Sequence, residues 1–344
     1  MRVDRFGIDH PNTLVTLGNL AVMLESVGCP ARAEPDDRDE TGGTQGVPDP
    51  CDLQERLSAY PELLDELGPQ PDLEGIYRFV LKTEENIFGA DHPTIAIDLG
   101  NLALLLEDDD PDQAVSLLRH ALRIEEARLG PDHRDLASPL NNLASTLMAA
   151  GKNADAEDTL KGALSLLDGE PAPSADRARI LHNLGYLHAQ REEWPAAADK
   201  LRAGFIAAVA ADEADIRWES EFGLGAAYSH LQEPALAIFH AKRAINAVQG
   251  LRANLMGNQP GLQHAFLTSV EDVYRNLADM LLGQGRLAEA QQVMGLMKEY
   301  EYLDFLRWDA ALPPQPNTVA YDSFEKQQAA LLSDATDSLV QAAE

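Results

Sequence analysis

Leu140-Asn141-Asn142-Leu143-Ala144-Ser145-Thr146-Leu147, followed after Gly151-Lys152-Asn153 by Ala156, Leu160 and Ala163, is the stretch that decides the fold. Leu140, Leu143, Ala144 and Leu147 share one face of a first helix, and Ala156, Leu160 and Ala163 share one face of a second, with Gly151 in the turn between. The central triplet returns as Asn101-Leu102-Ala103 and Asn183-Leu184-Gly185, 41 residues to either side, and as Asn19-Leu20-Ala21 two periods before Asn101. A helix pair recurring at a fixed period buries its core between neighbouring copies and exposes a long surface, so the pattern points to a binding scaffold rather than a catalyst.

The other copies keep the order. Leu102, Ala103 and Leu106 precede Ala114, Leu118 and Ala121, while Leu184, Gly185 and His188 precede Ala197, Leu201 and Gly204. A fifth copy runs from Leu224, Gly225 and Tyr228 to Ala237, Ala241 and Ala244, and a sixth from Leu277, Ala278 and Leu281 to Ala290, Met294 and Met297. The small residues mark close helix crossings.

Leu-small-large followed by Ala-large-small resembles the tetratricopeptide repeat. Phe88-Gly89-Ala90-Asp91-His92-Pro93 and Leu129-Gly130-Pro131-Asp132-His133 are similar to the inter-repeat loop of its kinesin light chain type. The resemblance implies an all-α, right-handed superhelical solenoid of helix hairpins with a period of about 41 residues, each helix about a turn longer than in the usual 34-residue unit. HEAT and armadillo repeats share the length. The Asn-Leu-Ala core, the Gly, and Ala-x-x-x-Leu-x-x-Ala favour the tetratricopeptide type.

Four stretches follow: a partial N-terminal repeat (1–28), an acidic Gly/Pro-rich loop without apolar period (29–52), the repeat array (53–308), and a linker with a C-terminal amphipathic helix (309–344). The composition of the second predicts disorder. Arg5 to Pro11 matches the inter-repeat loop, so the chain opens in mid-repeat, and Gly250 to Gly261 reads as an irregular insert and hinge. Pro61 is expected to shorten its helix. The tail, with Phe324, Leu331 and Leu332, is expected to be loosely held.

Charge narrows the partners. With 57 acidic against 27 basic residues, a formal net charge of −30, nucleic acid and anionic membrane are poor candidates, and a basic or neutral protein segment fits better. Cys29 and Cys51 are too far apart for a CxxC pair, and the absence of a leader or long apolar run points to the cytoplasm.

No catalytic or cofactor motif is present, so no catalytic residue, metal or cofactor is expected and the chain is read as no enzyme. His10, His92 and His133 recur at one loop position, as turn and helix-start residues rather than ligands of one ion. Glu84-Glu85 and Glu125-Glu126 read as solvated charge at the ends of second helices.

The candidate site is a ladder: Asn19, Asn101, Asn142, Asn183 and Asn276, each before the repeat's Leu or its equivalent. The resemblance places first helices on a concave groove, where an amide could pair with an extended peptide's backbone. Alternatively each Asn bonds its neighbouring unit. Ser138, Ser145, Arg179, Tyr186, Glu219, Asp272 and Asp279 share the groove face and vary in character, which suits a specificity surface.

Gly285 to Val293 and Lys298 to Arg307 resemble the segment that joins tetratricopeptide repeats to a CHAT domain, the caspase-like peptidase module of bacterial proteins. That resemblance implies a linked or partner peptidase working through a His and Cys dyad that this chain lacks. A sensor half of such a system, a stand-alone adaptor of the kinesin light chain type, and, less favoured, an enzyme in its own right are the three readings.

Overall fold

The computed structural model describes residues 14, 17–21, 57, 61–68, 72–169, 174–255, 260–306 and 318–343. The expectations for 1–11 and 29–52 and for both cysteines fall outside the described residues. Helices and turns make up the rest, with no strand among the described residues. The chain divides into two compact units, 1–159 and 160–344.

The first unit holds α1 (Pro61–Leu67), α2 (Leu73–Phe88), α3 (Pro93–Leu106), α4 (Pro111–Leu129), a 3₁₀ turn (Arg134–Leu136) and α5 (Ala137–Ala149), and it ends inside α6 (Asn153–Leu166). Each helix packs on the next from α1 to α5, the antiparallel hairpin order that the apolar spacing predicts. Leu102, Ala103 and Leu106 are buried, as are Ala114, Val115 and Leu118 across from them. A buried Leu is worth about 1.5–3 kcal/mol over an exposed one, so this stripe holds each hairpin.

Helix starts are capped by chemistry the loop motif carries. Asp72 and Asp110 accept from the amides of Gly75 (2.7 Å) and Gln113 (3.1 Å). His92 and His133 do the same work through Nδ1, which accepts from the amides of Thr94 and Asp135. His92 and His133 are therefore helix-start residues, as their shared loop position suggests. Gly89 and Gly130 before them sit at φ 88° and 91° with ψ near 152°, a region open essentially to glycine alone.

The second unit continues with α7 (Ala175–Gln190), α8 (Trp194–Ala210), α9 (Ala214–His230), α10 (Pro234–Leu255), α11 (Pro260–Gly283), α12 (Leu287–Leu306) and α13 (Ser323–Ala343). Successive helices pack from α7 to α12, and the first helices α7 and α9 also touch. Small residues set the crossings: a Cβ on Gly185 would lie 2.6 Å from Leu201 Cγ, and one on Gly204 3.0 Å from the His182 amide nitrogen.

Two expectations change. Gly250 and Gly261 are helical, so much of the extra length between the fifth and sixth copies lengthens α10 and α11. A single Gly costs a helix only about 1 kcal/mol against Ala, less than the packing of the buried Val248 and Val270 returns. The tail, in turn, is docked: α13 packs on α8 and α10. Asn246 of α10 pairs with the Val319 backbone on both sides, accepting from its N–H at 2.8 Å and donating to its carbonyl at 3.1 Å. Lys242 donates to Glu289 (2.6 Å), to Glu325 (2.8 Å) and to the Ala320 carbonyl (2.8 Å). Asp322 and Glu325 form a reciprocal capping box at the start of α13, each side chain accepting the other's amide at 2.9 and 2.8 Å. Arg286 closes the cluster on Glu289 and Glu325. Phe324 and Leu331 stay exposed.

Candidate functional site

Leu143, Ala144 and Leu147 are buried on one face of α5, which turns Ser138, Asn142 and Ser145 the other way. Positions i, i+4 and i+7 line one stripe of a helix. Asn142 is exposed and Ser138 and Ser145 are half-buried. One period on, the same register on α7 holds Arg179, Asn183 and Tyr186, with Tyr186 51% exposed. On α11 it holds Asp272, Asn276 and Asp279, all exposed. On α9, Glu219 occupies the first place and Gly223 replaces the Asn. Asn19 is exposed as well, and Asn101 is half-buried.

Subtracting one period from Ser138 and Ser145 lands on Ile97 and Leu104 of α3, which are 67% and 49% exposed beside Asn101. Reading for polar groove residues misses them. The register itself is the signal that finds them, since an exposed Ile and Leu on one stripe need a reason that scattered single apolar residues do not.

The stripe is polar and charged in the second unit. Arg179 donates to Glu213 at 3.0 Å and lies 3.6 Å from Asp176. Across from it, His182 Nε2 is 3.8 Å from Glu219 Oε2, and its Nδ1 is 3.1 Å from Ser220 Oγ. Burial pushes Glu219 up to about 7, helped by the Asp215 charge, and pushes His182 down to about 4. Desolvation thus drives both toward their neutral forms. In the first unit, Thr146 of α5 reaches Glu107 at 3.1 Å, tying one hairpin to the preceding one.

Glu84 departs from its reading as solvated charge. It is buried at 5% exposure and hydrogen-bonds Asp98 of α3, with its Oε2 buried and unpaired among the described residues. Burial first, then the Asp98 charge, raises it from 4.5 to about 7. Glu125, by contrast, is paired with Arg128 near the end of α4.

No group of three or more His, Cys, Asp or Glu that could hold a metal ion occurs among the described residues, and no helix there is long and apolar enough to cross a membrane.

Segments 103–168 and 135–205, from the last turn of α3 into α8, match the tetratricopeptide repeat family model. Among solved structures, BtubC (BKLC) from P. vanneervenii is similar over 79% of this chain and 99% of its own, with 18% identity and a TM-score of 0.54. A Podosopora anserina putative kinesin light chain with nearly identical TPR-like repeats is similar over 63% of this chain and 98% of its own, with 19% identity and a TM-score of 0.48. No curated protein matches the sequence. At these identities the likeness to BtubC concerns the fold alone: an all-α array of tetratricopeptide-type hairpins.

Proposed function

We propose that this protein is a protein-interaction scaffold that takes up a peptide or protein segment along the exposed stripes of its first helices. The recurrence of one outward register, Ile97-Asn101-Leu104, Ser138-Asn142-Ser145, Arg179-Asn183-Tyr186 and Asp272-Asn276-Asp279, carries this reading. An amide at the centre of each triplet can donate to and accept from an extended backbone, while its flanks differ from apolar to hydroxyl, cationic-aromatic and acidic. Constant centre and varied flanks are what reading a sequence along a strand requires. The net charge of −30 and the acidic α11 stripe favour a basic or neutral segment.

The test is selection of binders to the full chain from a displayed random-peptide library, followed by fluorescence-polarisation titration. Selected peptides should lose at least about tenfold in affinity, some 1.4 kcal/mol, on Asn142→Arg or Tyr186→Ala, and none on Asp199→Ala of α8. No enrichment, or equal affinity for the stripe variants, removes the reading.

A narrower version is a regulatory module of a caspase-like peptidase, supported by the resemblance of 285–293 and 298–307 to the approach to a CHAT domain. The reading frame beyond Glu344 decides it, a peptidase module with a His and Cys dyad on one side and none on the other. A stand-alone adaptor is the alternative.

A further inference from the structure

A cavity of about 620 Å³ lies between α8, α9, α10 and the C-terminal segment, and Arg179, Asn183 and Tyr186 do not line it. Its volume is that of small-molecule sites, which run from roughly 300 to 1,000 Å³. Arg217, Glu221 and Arg243 supply charge to the lining, and Tyr321 a hydroxyl.

Glu221 is already satisfied. Its Oε1 accepts from Arg243 Nε at 2.6 Å, and its Oε2 lies 2.6 Å from His240 Nδ1. Arg243 is held in place by two rings, its Cζ 5.1 Å from the Phe205 centroid and 5.6 Å from that of Phe239. The Nη1 and Nη2 hydrogens of that pre-set fork have no partner among the described residues, and two parallel N–H groups match a carboxylate. Tyr321 accepts from Asn246 at 3.2 Å, so its own proton remains to donate. Among the described residues the Arg217 side chain is engaged only by the exposed Asp212, at 3.0 Å. The lining therefore presents positive charge and free donors on a strongly acidic chain. Val209, Ala247, Leu251 and Leu332 supply apolar wall, and Ser333 lines the cavity beside them.

We propose that this cavity binds a small organic carboxylate with an apolar body, the carboxylate on the Arg243 fork and the Tyr321 hydroxyl, the body along Val209, Leu251 and Leu332. Tyr321 and Leu332 belong to the docked C-terminal segment, so an occupant touches both the repeat array and the segment. Binding must then hold the segment down, because a ligand favours the state in which its contacts exist.

The full chain is titrated calorimetrically with decanoate and with 2-naphthoate, with decanol and inorganic phosphate as controls, and hydrogen exchange is followed over 318–343. One carboxylate per chain should bind saturably, at least about tenfold tighter than decanol or phosphate, and should slow exchange in that segment. The tighter of the two acids identifies an aliphatic or an aromatic body. Ala247→Trp, which fills the cavity, should abolish binding. Tyr321→Phe, which removes one donor and little volume, should weaken it about tenfold and keeps the test valid if the Trp variant misfolds. No saturable binding of either acid, decanol binding as tightly, or wild-type affinity in the Tyr321→Phe variant overturns the proposal.

Discussion

Lys242 of α10 and Glu325 of α13, 83 residues apart in sequence, meet at 2.8 Å with neither side chain more than 1% exposed. Breaking one side of such a buried pair leaves an uncompensated charge and costs about 3–5 kcal/mol, whereas an exposed pair is worth less than about 1 kcal/mol. Lys242→Met should therefore lower the melting temperature and speed hydrogen exchange over 318–343. Unchanged exchange there would show that the ion pair does not hold the segment.

Glu84 predicts a pH effect. Its folded pKa of about 7 exceeds the unfolded 4.5, so the native state binds the extra proton. Stability from this group is complete below about 4.5 and is lost as pH rises through about 7. Glu84→Gln should accordingly raise the melting temperature at pH 8.5 and change it little at pH 4.5. An equal shift at both values would refute the assignment.

The turns after first helices offer a stability gain. Gly151 and Gly285 take φ 70° there, while Glu192 and Gln232 occupy the equivalent place at 61° and 60°. Each turn closes in the same way, the next residue's amide bonding a carbonyl five residues back, as in Glu193 to His188 and Glu233 to Tyr228. A side chain costs about 1–2 kcal/mol in this left-handed region, partly offset by glycine's greater chain entropy. Gln232→Gly should stabilise by about 0.5–1 kcal/mol in urea unfolding, and Gly151→Ala should destabilise by a similar amount.

Asn142 separates binding from structure. Its side chain is exposed, so Asn142→Ala should change stability by less than about 0.5 kcal/mol while weakening selected peptides. A loss of about 1–3 kcal/mol in melting would instead mark it as a structural partner of its neighbours. Ile97→Asp should likewise leave melting unchanged and reduce binding of peptides carrying an apolar anchor.

The hairpin order is legible in the sequence because the apolar period and the Asn-Leu-Ala register are local properties, set by 3.6 residues per turn and one repeated crossing. Gly185 against Leu201 and the histidine caps follow from the same spacing. Glu84 reads wrongly as solvated charge because its burial depends on Asp98 of the following helix. The docked tail escapes the sequence for a related reason: Asn246 against Val319 and Lys242 against Glu325 are pairings across 73 and 83 residues that no period announces. Ile97 and Leu104 lie within reach of the register, yet a reading that favours polar side chains passes over them.

In an array whose units touch only their neighbours, the last hairpin opens first, since one of its sides has nothing to lose. Here the α11–α12 hairpin lies inside a loop that is closed at Lys242 and Asn246 on one side and at Val319 and Glu325 on the other. Fraying of that hairpin alone would leave the clasp on a longer slack chain, and release of the clasp costs a buried ion pair. The second unit should therefore open from α7 to α13 as one cooperative block rather than peel helix by helix.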